Sequence, residues 1–398
     1  MKSFRYLNTT DIRFGCGIRR EIGAIVRGRY TRALLVCAKG PFRENGLFDE
    51  IAGLIKNEGI DVVQIPDIDQ NPKLSSVRSG VTACINNRVD CVIALGGGSA
   101  MDCAKLIAAS AATGIDPYRY VFGDRPSVSD SLDTIMLPTI AATGTETNNT
   151  CVIVNDETRE KYWCNCFFPK YTLIDPEIIS TVPYKLAVWG AMDILSHTFE
   201  YYFNGFYGAE LQTCLSEAIL IATMSALNKL SRSHGDVEAC GELAWCAVMA
   251  WGGIAKIGRG EPDMTCHSIE ESFSGYFGTH HGGCLGVLTP RWMEYVQADA
   301  PEIFARFARN VMQVQAENDV DAARQGIIAY KNWLIDIGAP NTYADLANLD
   351  FTEHELIHVA QTAYKIYKGN IGRLKRFTFE QVKQLLLSGK DPYMRDPI

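Results

Sequence analysis

Asp193 and His197 lie four residues apart in a stretch, 183–203, whose apolar spacing predicts a single helix. At 3.6 residues per turn the two side chains stack on one face and can grip one cation together. Val188, Ile194, Leu195 and Phe199 surround them, and an uncompensated carboxylate among such neighbours is costly. A metal removes that cost. His267 and His281, 14 residues apart in a Gly-rich segment, complete a candidate set of one aspartate and three histidines. Such donors suit Fe²⁺, Zn²⁺, Mn²⁺ or Co²⁺, with iron and zinc the leading expectations. An i,i+4 Asp/His pair by itself is more often a surface or capping pair. What raises this one is its place behind two phosphate-type loops.

The first loop is Gly96-Gly97-Gly98-Ser99, which follows the apolar run Cys91–Leu95 and opens a helix. Glycines let a backbone approach a phosphate, and the helix start offers N–H groups and a positive dipole end. Ser99 and Asp102 have the spacing of a capping box. Neither the GxGxxG fingerprint nor the Walker lysine is present. The second loop, Pro138 to Glu146, follows another apolar run and carries Thr139, Thr143, Thr145 and Gly144. It suits the far half of a dinucleotide. After the early strand Leu34–Cys37 comes Ala38-Lys39-Gly40, with no acid to receive a ribose 2′-hydroxyl. Lys39 could meet a 2′-phosphate, which tilts the expectation from NAD toward NADP.

The elements that must hold these residues change character along the chain. Up to about residue 184, strand-like runs (33–37, 61–65, 91–95, 134–137) alternate with helical ones (47–57, 74–87, 100–113). That alternation predicts a parallel sheet covered on both faces. Beyond Pro183 the patterns are helical: 183–203, 207–230, 236–256, 264–275, 287–297, 301–316, 320–337, 352–368 and 378–387. Two domains are expected, an α/β dinucleotide-binding domain over 1–184 and an all-α metal-binding domain over 185–398.

Hydrophobic residues make up 47% and charged residues 21%, as in a soluble globular protein. The net charge of -8 argues against nucleic acid or an anionic membrane as partner. No signal peptide or spanning run is read, and the 13 scattered cysteines fit a reduced, cytoplasmic setting. Cys164 and Cys166 are the only close pair, and a zinc or redox role for them would need a second pair at metal spacing.

A competing motif is His354-Glu355-Leu356-Ile357-His358, a formal match to the HExxH of zinc peptidases. Thr352 and Glu355 also read as a capping box, which would leave both histidines in the first turns of a surface helix.

With these residues in place, the chain resembles the iron-containing (group III) alcohol dehydrogenase family, nearest its butanol dehydrogenase branch. GGGSAMDCAK at 96–105 is similar to the family's GGGSxxDxAK, and PTIAATGTE at 138–146 to PTTAGTGSE. Gly190 to Glu200 is similar to GxDAxxHxxE; His267-Ser-Ile-Glu-Glu, then His281-Gly282-Gly283 and Pro290, to the two final ligand segments. The resemblance covers roughly residues 5–390 in collinear order. It implies a dehydroquinate synthase-like fold and a metal-dependent, NAD(P)-linked alcohol dehydrogenase or aldehyde reductase, an oxidoreductase acting on CH–OH. It implies Asp193, His197, His267 and His281 as ligands of one divalent metal. Gly97, Gly98, Ser99, Asp102, Thr139 and Thr143 would line the dinucleotide, with Lys161 near the nicotinamide ribose. Glu271 stands where many members have a histidine, and could act as a proton relay. His280 precedes His281, and the 14-residue spacing selects His281. Arg259, eight residues before His267, and Thr150 are candidate substrate contacts; an arginine there would suit an aldehyde bearing a carboxylate, phosphate or phosphonate. A homodimer is the expected assembly. The alternatives are a zinc peptidase at His354-Glu355-His358 and an inactive binding protein on the same fold.

Overall fold

In the apolar runs 33–37 and 91–95 every residue is buried, odd and even positions alike. A strand can bury both faces only inside a sheet covered on each side. The structure, a computed structural model describing residues 1–397, has that arrangement. Six strands form one parallel sheet: β1 (Asp11–Phe14), β2 (Arg32–Cys37), β3 (Asp61–Gln64), β4 (Cys91–Gly96), β5 (Asp133–Pro138) and, after a hairpin, β8 (Tyr171–Ile174). Their order is β1-β8-β5-β4-β2-β3. The hairpin consists of β6 (Thr150–Val154) and β7 (Lys161–Asn165), paired antiparallel.

One face of the sheet, with Leu34, Val36, Val92 and Ala94, packs against α3 (Leu74–Asn87), α4 (Gly98–Thr113) and α5 (Pro117–Val121). The other, with Ala33, Leu35, Ile93 and Leu95, packs against α1 (Ile22–Val26) and α2 (Leu47–Lys56). The chain winds from β2 out to β3, then returns to the other side of β2 as β4. That reversal is a topological switch point, and ligands of such sheets bind beyond the carboxyl ends of the strands that flank it. The glycine loop follows β4 and Lys39 follows β2, so both lie there.

The chain forms two compact units. Residues 7–182 and 235–248 make the α/β unit; residues 1–6, 183–234 and 249 onward make the helical unit. The chain passes between the units at Val182/Pro183 and again on either side of the segment 235–248. That segment forms α9 (Val237–Ala247), which packs on α6 (Pro176–Ile179) in the α/β unit. The single helix expected over 236–256 therefore ends at Ala247, followed by a π-helical turn, Val248–Gly252, and a 3-10 turn, Ile254–Lys256.

The helical unit contains α7 (Tyr184–Tyr202), α8 (Glu210–Leu230), α10 (Thr265–Phe277), α11 (His281–Val296), α12 (Pro301–Asn310), α13 (Asp319–Asp336), α14 (Glu353–Ile366) and α15 (Phe379–Ser388). Helix α11 begins six residues before the expected 287, because the glycines read there as loop formers are packing residues. A Cβ on Gly282 would stand 2.0 Å from the Trp189 carbonyl oxygen of α7. No described helix is long and apolar enough to cross a membrane.

At α14 the capping box is present. Thr352 and Glu355 cap each other reciprocally, so the Glu355 carboxylate is engaged at the helix start. His354 and His358 are exposed. This geometry gives no support to a peptidase site, whose glutamate must be available to activate water. Replacing both histidines with alanine should leave metal content and activity within about twofold, as for surface changes. Thr352→Ala should instead cost about 1 kcal/mol of stability in denaturant titration.

Candidate active site

Helix α7 is buried on all sides from Val188 to Glu200, so Asp193 and His197 enter an apolar environment from its middle. His267 comes from α10, and His281 is the first residue of α11, brought close by the Gly282 contact. Asp193 Oδ1 lies 3.5 Å from His197 Nδ1, 3.4 Å from His267 Nε2 and 3.6 Å from His281 Nε2. Asp193 is 1% exposed. Its Oδ1, His197 Nδ1 and His267 Nε2 are buried and make no hydrogen bond among the described residues. Three orphaned buried donor atoms are costly unless something binds them. A tetrahedral divalent metal with bonds of about 2.1 Å separates its ligand atoms by about 3.4 Å. The three spacings from Asp193 Oδ1 are close to that separation, and Asp193, His197 and His267 gather within reach of one ion, so these residues fit a metal.

Electrostatics divide the two buried histidines: against burial, Glu200 and Asp193 hold His267 well above its ordinary range, while His197 moves the other way. Burial pushes His197 down to about 3, leaving it neutral and able to donate a lone pair. Burial opposes charge on Asp193 as well, but the facing histidines outweigh it and hold the carboxyl below its ordinary range.

The other ring nitrogen of two histidines is held by a carboxylate. Glu200 contacts His267 Nδ1 and Glu270 contacts His281 Nδ1. Such partners fix ring orientation and raise ligand basicity. Burial raises Glu200 to about 7 against the pull of His267. Neither glutamate's role was read from the sequence, although Glu200 lies at i+3 from His197 and Glu270 at i+3 from His267. A buried glutamate one turn from a ligand is the signal that could have found them.

His280 is engaged at the start of α11. Its Nδ1 accepts from the Gly283 N–H as the cap of α11, and its ring lies 4.9 Å from that of Trp189. Glu271 is buried and accepts the Tyr367 hydroxyl. Arg259 requires a correction. It is fully buried, and its guanidinium donates to the Tyr201 and Tyr202 carbonyls and to Thr213 Oγ1, at 2.7, 3.1 and 2.5 Å. It ties α7 to α8 and has no donor facing solvent for an anionic substrate. A cation that was not read is Lys256. Its Nζ sits 5.0 Å from the Trp251 ring centroid, and that ring is 4.7 Å from His197's.

In the α/β unit the two loops pack on each other. A Cβ on Gly97 would stand 2.8 Å from Ile140 Cγ2, and one on Gly98 2.9 Å from Thr143 Oγ1. No side chain caps α4, whose cap residue is Gly97. Thr139 donates its N–H to the Gly96 carbonyl at 3.0 Å. Ser99 does not form the expected box with Asp102; its hydroxyl accepts the Asn71 N–H at 3.2 Å. Lys161 is buried and donates to Asn71 Oδ1 at 3.0 Å, which places it one residue behind the glycine loop. Asp102 accepts from Thr145 Oγ1 at 2.5 Å and from the Val152 N–H at 3.0 Å. Lys105, unassigned in the sequence reading, is buried beside it and donates to Thr145 Oγ1, Asn148 Oδ1 and the Thr150 carbonyl. Asp102, Lys105 and Thr150 thus brace the two loops from behind, and Thr150 acts through its carbonyl. Lys39 is exposed and pairs with Asp69 at 3.0 Å.

These two sites should separate cleanly by mutation. Gly282→Ala should push α11 from α7, cost about 1–3 kcal/mol and lower metal content, while dinucleotide binding persists. Gly98→Val should abolish dinucleotide binding and leave the metal bound, because the side chain blocks backbone approach. Metal analysis and fluorescence titration of both variants check this; a parallel loss of both ligands in either one would contradict it.

Comparison with known proteins places this geometry. The family model described as iron-containing alcohol dehydrogenase matches residues 9–176, and the one for the C-terminal region of that family matches residues 187–389. The chain is 32% identical to NADH-dependent butanol dehydrogenase A of Clostridium acetobutylicum over 97% of this chain and 99% of that one. It is 25% identical to the NADPH-dependent aldehyde reductase YqhD of Escherichia coli over 87% and 89%. The crystal structure of NADH-dependent butanol dehydrogenase A from Thermotoga maritima superposes with a TM-score of 0.92 at 32% identity, covering 98% and 99% of the two chains. The chain belongs to the iron-containing alcohol dehydrogenase family.

Proposed function

We propose that this protein is a metal-dependent alcohol dehydrogenase that works as an aldehyde reductase, moving a hydride between a nicotinamide dinucleotide and a small aldehyde or alcohol. The observation that carries the reading is the set of orphaned buried donor atoms around Asp193 Oδ1. The relatives' names, butanol dehydrogenase and aldehyde reductase, point the same way.

A divalent metal held by Asp193, His197, His267 and His281, Fe²⁺ or Zn²⁺ first, would supply Lewis acidity toward a carbonyl or alcohol oxygen. The dinucleotide would supply or receive the hydride. The chain's own residues do the rest. Glu200 and Glu270 hold His267 and His281 with Nε2 aimed at Asp193. Apolar burial of α7 keeps water from competing for that point. Gly97 and Gly98 open the backbone to the pyrophosphate, and Asp102 and Lys105 keep the two loops in register. Turnover of butanal followed by nicotinamide absorbance, on metal-reconstituted protein, tests the reading. Activity should fall by at least about 10³-fold in His267→Ala. Absence of turnover across an aldehyde panel with metal bound would refute it.

For the dinucleotide, the weight moves from NADP(H) to NAD(H). Lys39 already faces Asp69, so a 2′-phosphate would have to displace that carboxylate. A ribose diol could instead donate to it. Relatives above 30% identity carry NADH in their names. Wild-type protein should prefer NADH, and Asp69→Ser should shift the ratio of kcat/KM toward NADPH by about tenfold.

For anionic aldehydes, Lys256 replaces Arg259 as the candidate contact. Lys256→Met should lower kcat/KM for a carboxylate-bearing aldehyde about tenfold and leave butanal within twofold. Burial lowers Lys256 to about 8. Its charge, and the preference for the acidic aldehyde, should therefore be present below pH 8 and fade above it. A preference unchanged at pH 9 would contradict the assignment.

A further inference from the structure

Cys151, Cys164 and Cys166 bring their thiols together on one face of the β6/β7 hairpin, buried in the apolar cluster between the hairpin and α4. Cys151 Sγ is 3.3 Å from Cys164 Sγ and 3.5 Å from Cys166 Sγ. Sequence spacing showed only the Cys164/Cys166 pair, because Cys151 joins them across the hairpin. Cys151 and Cys164 are direct antiparallel partners. Directly opposite residues have Cα atoms about 4.5–5.5 Å apart, within the range a disulfide spans.

Three buried thiols can be plain core residues, a soft-metal site or an oxidation site. Charge separates the last two. Three thiolates around a divalent cation would leave a net negative charge in an apolar cluster, beside the buried Asp102 carboxylate. A disulfide leaves no charge at all, and burial favours it.

We propose that this cluster is an oxidation site, in which a peroxide bridges Cys151 to Cys164 and so loosens the phosphate loops. One thiol reduces hydrogen peroxide to water and becomes a sulfenic acid; the second thiol attacks that sulfur, forming the S–S bond and releasing a second water. Burial disfavours the reactive thiolate, which makes the step slow and restricts it to small uncharged oxidants. Bond formation draws the two sulfurs together by about 1.2 Å. Cys151 lies between Thr150, whose carbonyl accepts from Lys105 at 2.8 Å, and Val152, whose N–H donates to Asp102 at 3.0 Å. Those two bonds brace the loops, so the bridge acts on them directly. Cys166, within reach of Cys151, is placed to exchange with Cys164 and reopen the first bridge. The effect on the dinucleotide rests on the reading of the glycine loop given above; formation of the bridge does not.

The test uses full-length protein carrying Zn²⁺, which is redox-inert. It is treated with hydrogen peroxide, alkylated under denaturing conditions and digested without reductant for mass spectrometry. NADH affinity is measured on the same samples by fluorescence. The expected result is a crosslink between Cys151 and Cys164 or Cys166, with NADH binding about tenfold weaker, the loss of one charge-assisted hydrogen bond. Dithiothreitol should reverse both changes. Cys151→Ala should show neither, and Cys166→Ala should keep the crosslink, which covers the case in which the first variant fails to fold. The proposal is overturned if the three thiols stay alkylatable while the exposed Cys16 and Cys214 are oxidised. A bridge that forms without changing affinity overturns the regulatory part. If untreated protein binds no dinucleotide, the functional reading fails, and the crosslink still decides the oxidation site.

Discussion

The helical unit is organised around one buried carboxylate oxygen. Asp193 Oδ1 has no hydrogen bond among the described residues, lies in the middle of a buried helix, and faces imidazole nitrogens at 3.4–3.6 Å. A charge so placed is costly unless positive charge faces it. The demand propagates outward. It requires α10 to present His267 and α11 to present His281, and it requires glycine at 282 so that α11 can touch the α7 backbone. It also requires the outer faces of the two rings to be held, which Glu200 and Glu270 do. Replacing either glutamate would leave the donor set intact but free to rotate, so its effect belongs to affinity and geometry rather than to ligand identity.

The α/β unit follows a different logic, in which small residues create space and a buried polar network through Thr145 keeps it. Gly97 and Gly98 let Ile140 and Thr143 close over the loop, and any side chain there would collide. Behind them Asp102 and Lys105 lie one turn apart on α4, and both reach Thr145. A buried polar network of this kind is costly unless its members are satisfied. Its consequence here is registry between two loops that arrive from different strands. The hairpin carrying Cys151 is the third party to that registry, which is why oxidation of a core thiol and phosphate binding can be connected.

The sequence was most legible where period and spacing carry the information. The buried strands 33–37 and 91–95, the helices 74–87 and 353–366, the Asp193/His197 pair and the cap at Thr352 all follow from local pattern. It was least legible where tertiary contact decides. The glycines at 282 and 283 look like a loop until the Trp189 carbonyl is seen against them. Short, half-exposed strands such as Asp11–Phe14 have too few residues to show alternation. Arg259 near a ligand segment looks like a substrate contact, and only the enclosing Tyr201, Tyr202 and Thr213 reveal a brace. Lys256 and Asp69 are ordinary surface letters until their neighbours are known. The segment 235–248 belongs to the α/β unit although every local signal marks it as one more helix of the second half.

The most direct test of the metal-centre account is metal stoichiometry across two adjacent histidines. Full-length protein, His280→Ala and His281→Ala are each reconstituted with Zn²⁺ or Fe²⁺, freed of excess metal and analysed by mass spectrometry for bound metal per chain. The account predicts one equivalent in the wild type and in His280→Ala, because His280 Nδ1 is engaged in capping α11. It predicts a loss of affinity large enough to leave His281→Ala substoichiometric. Retention of the metal in His281→Ala with loss in His280→Ala would contradict it.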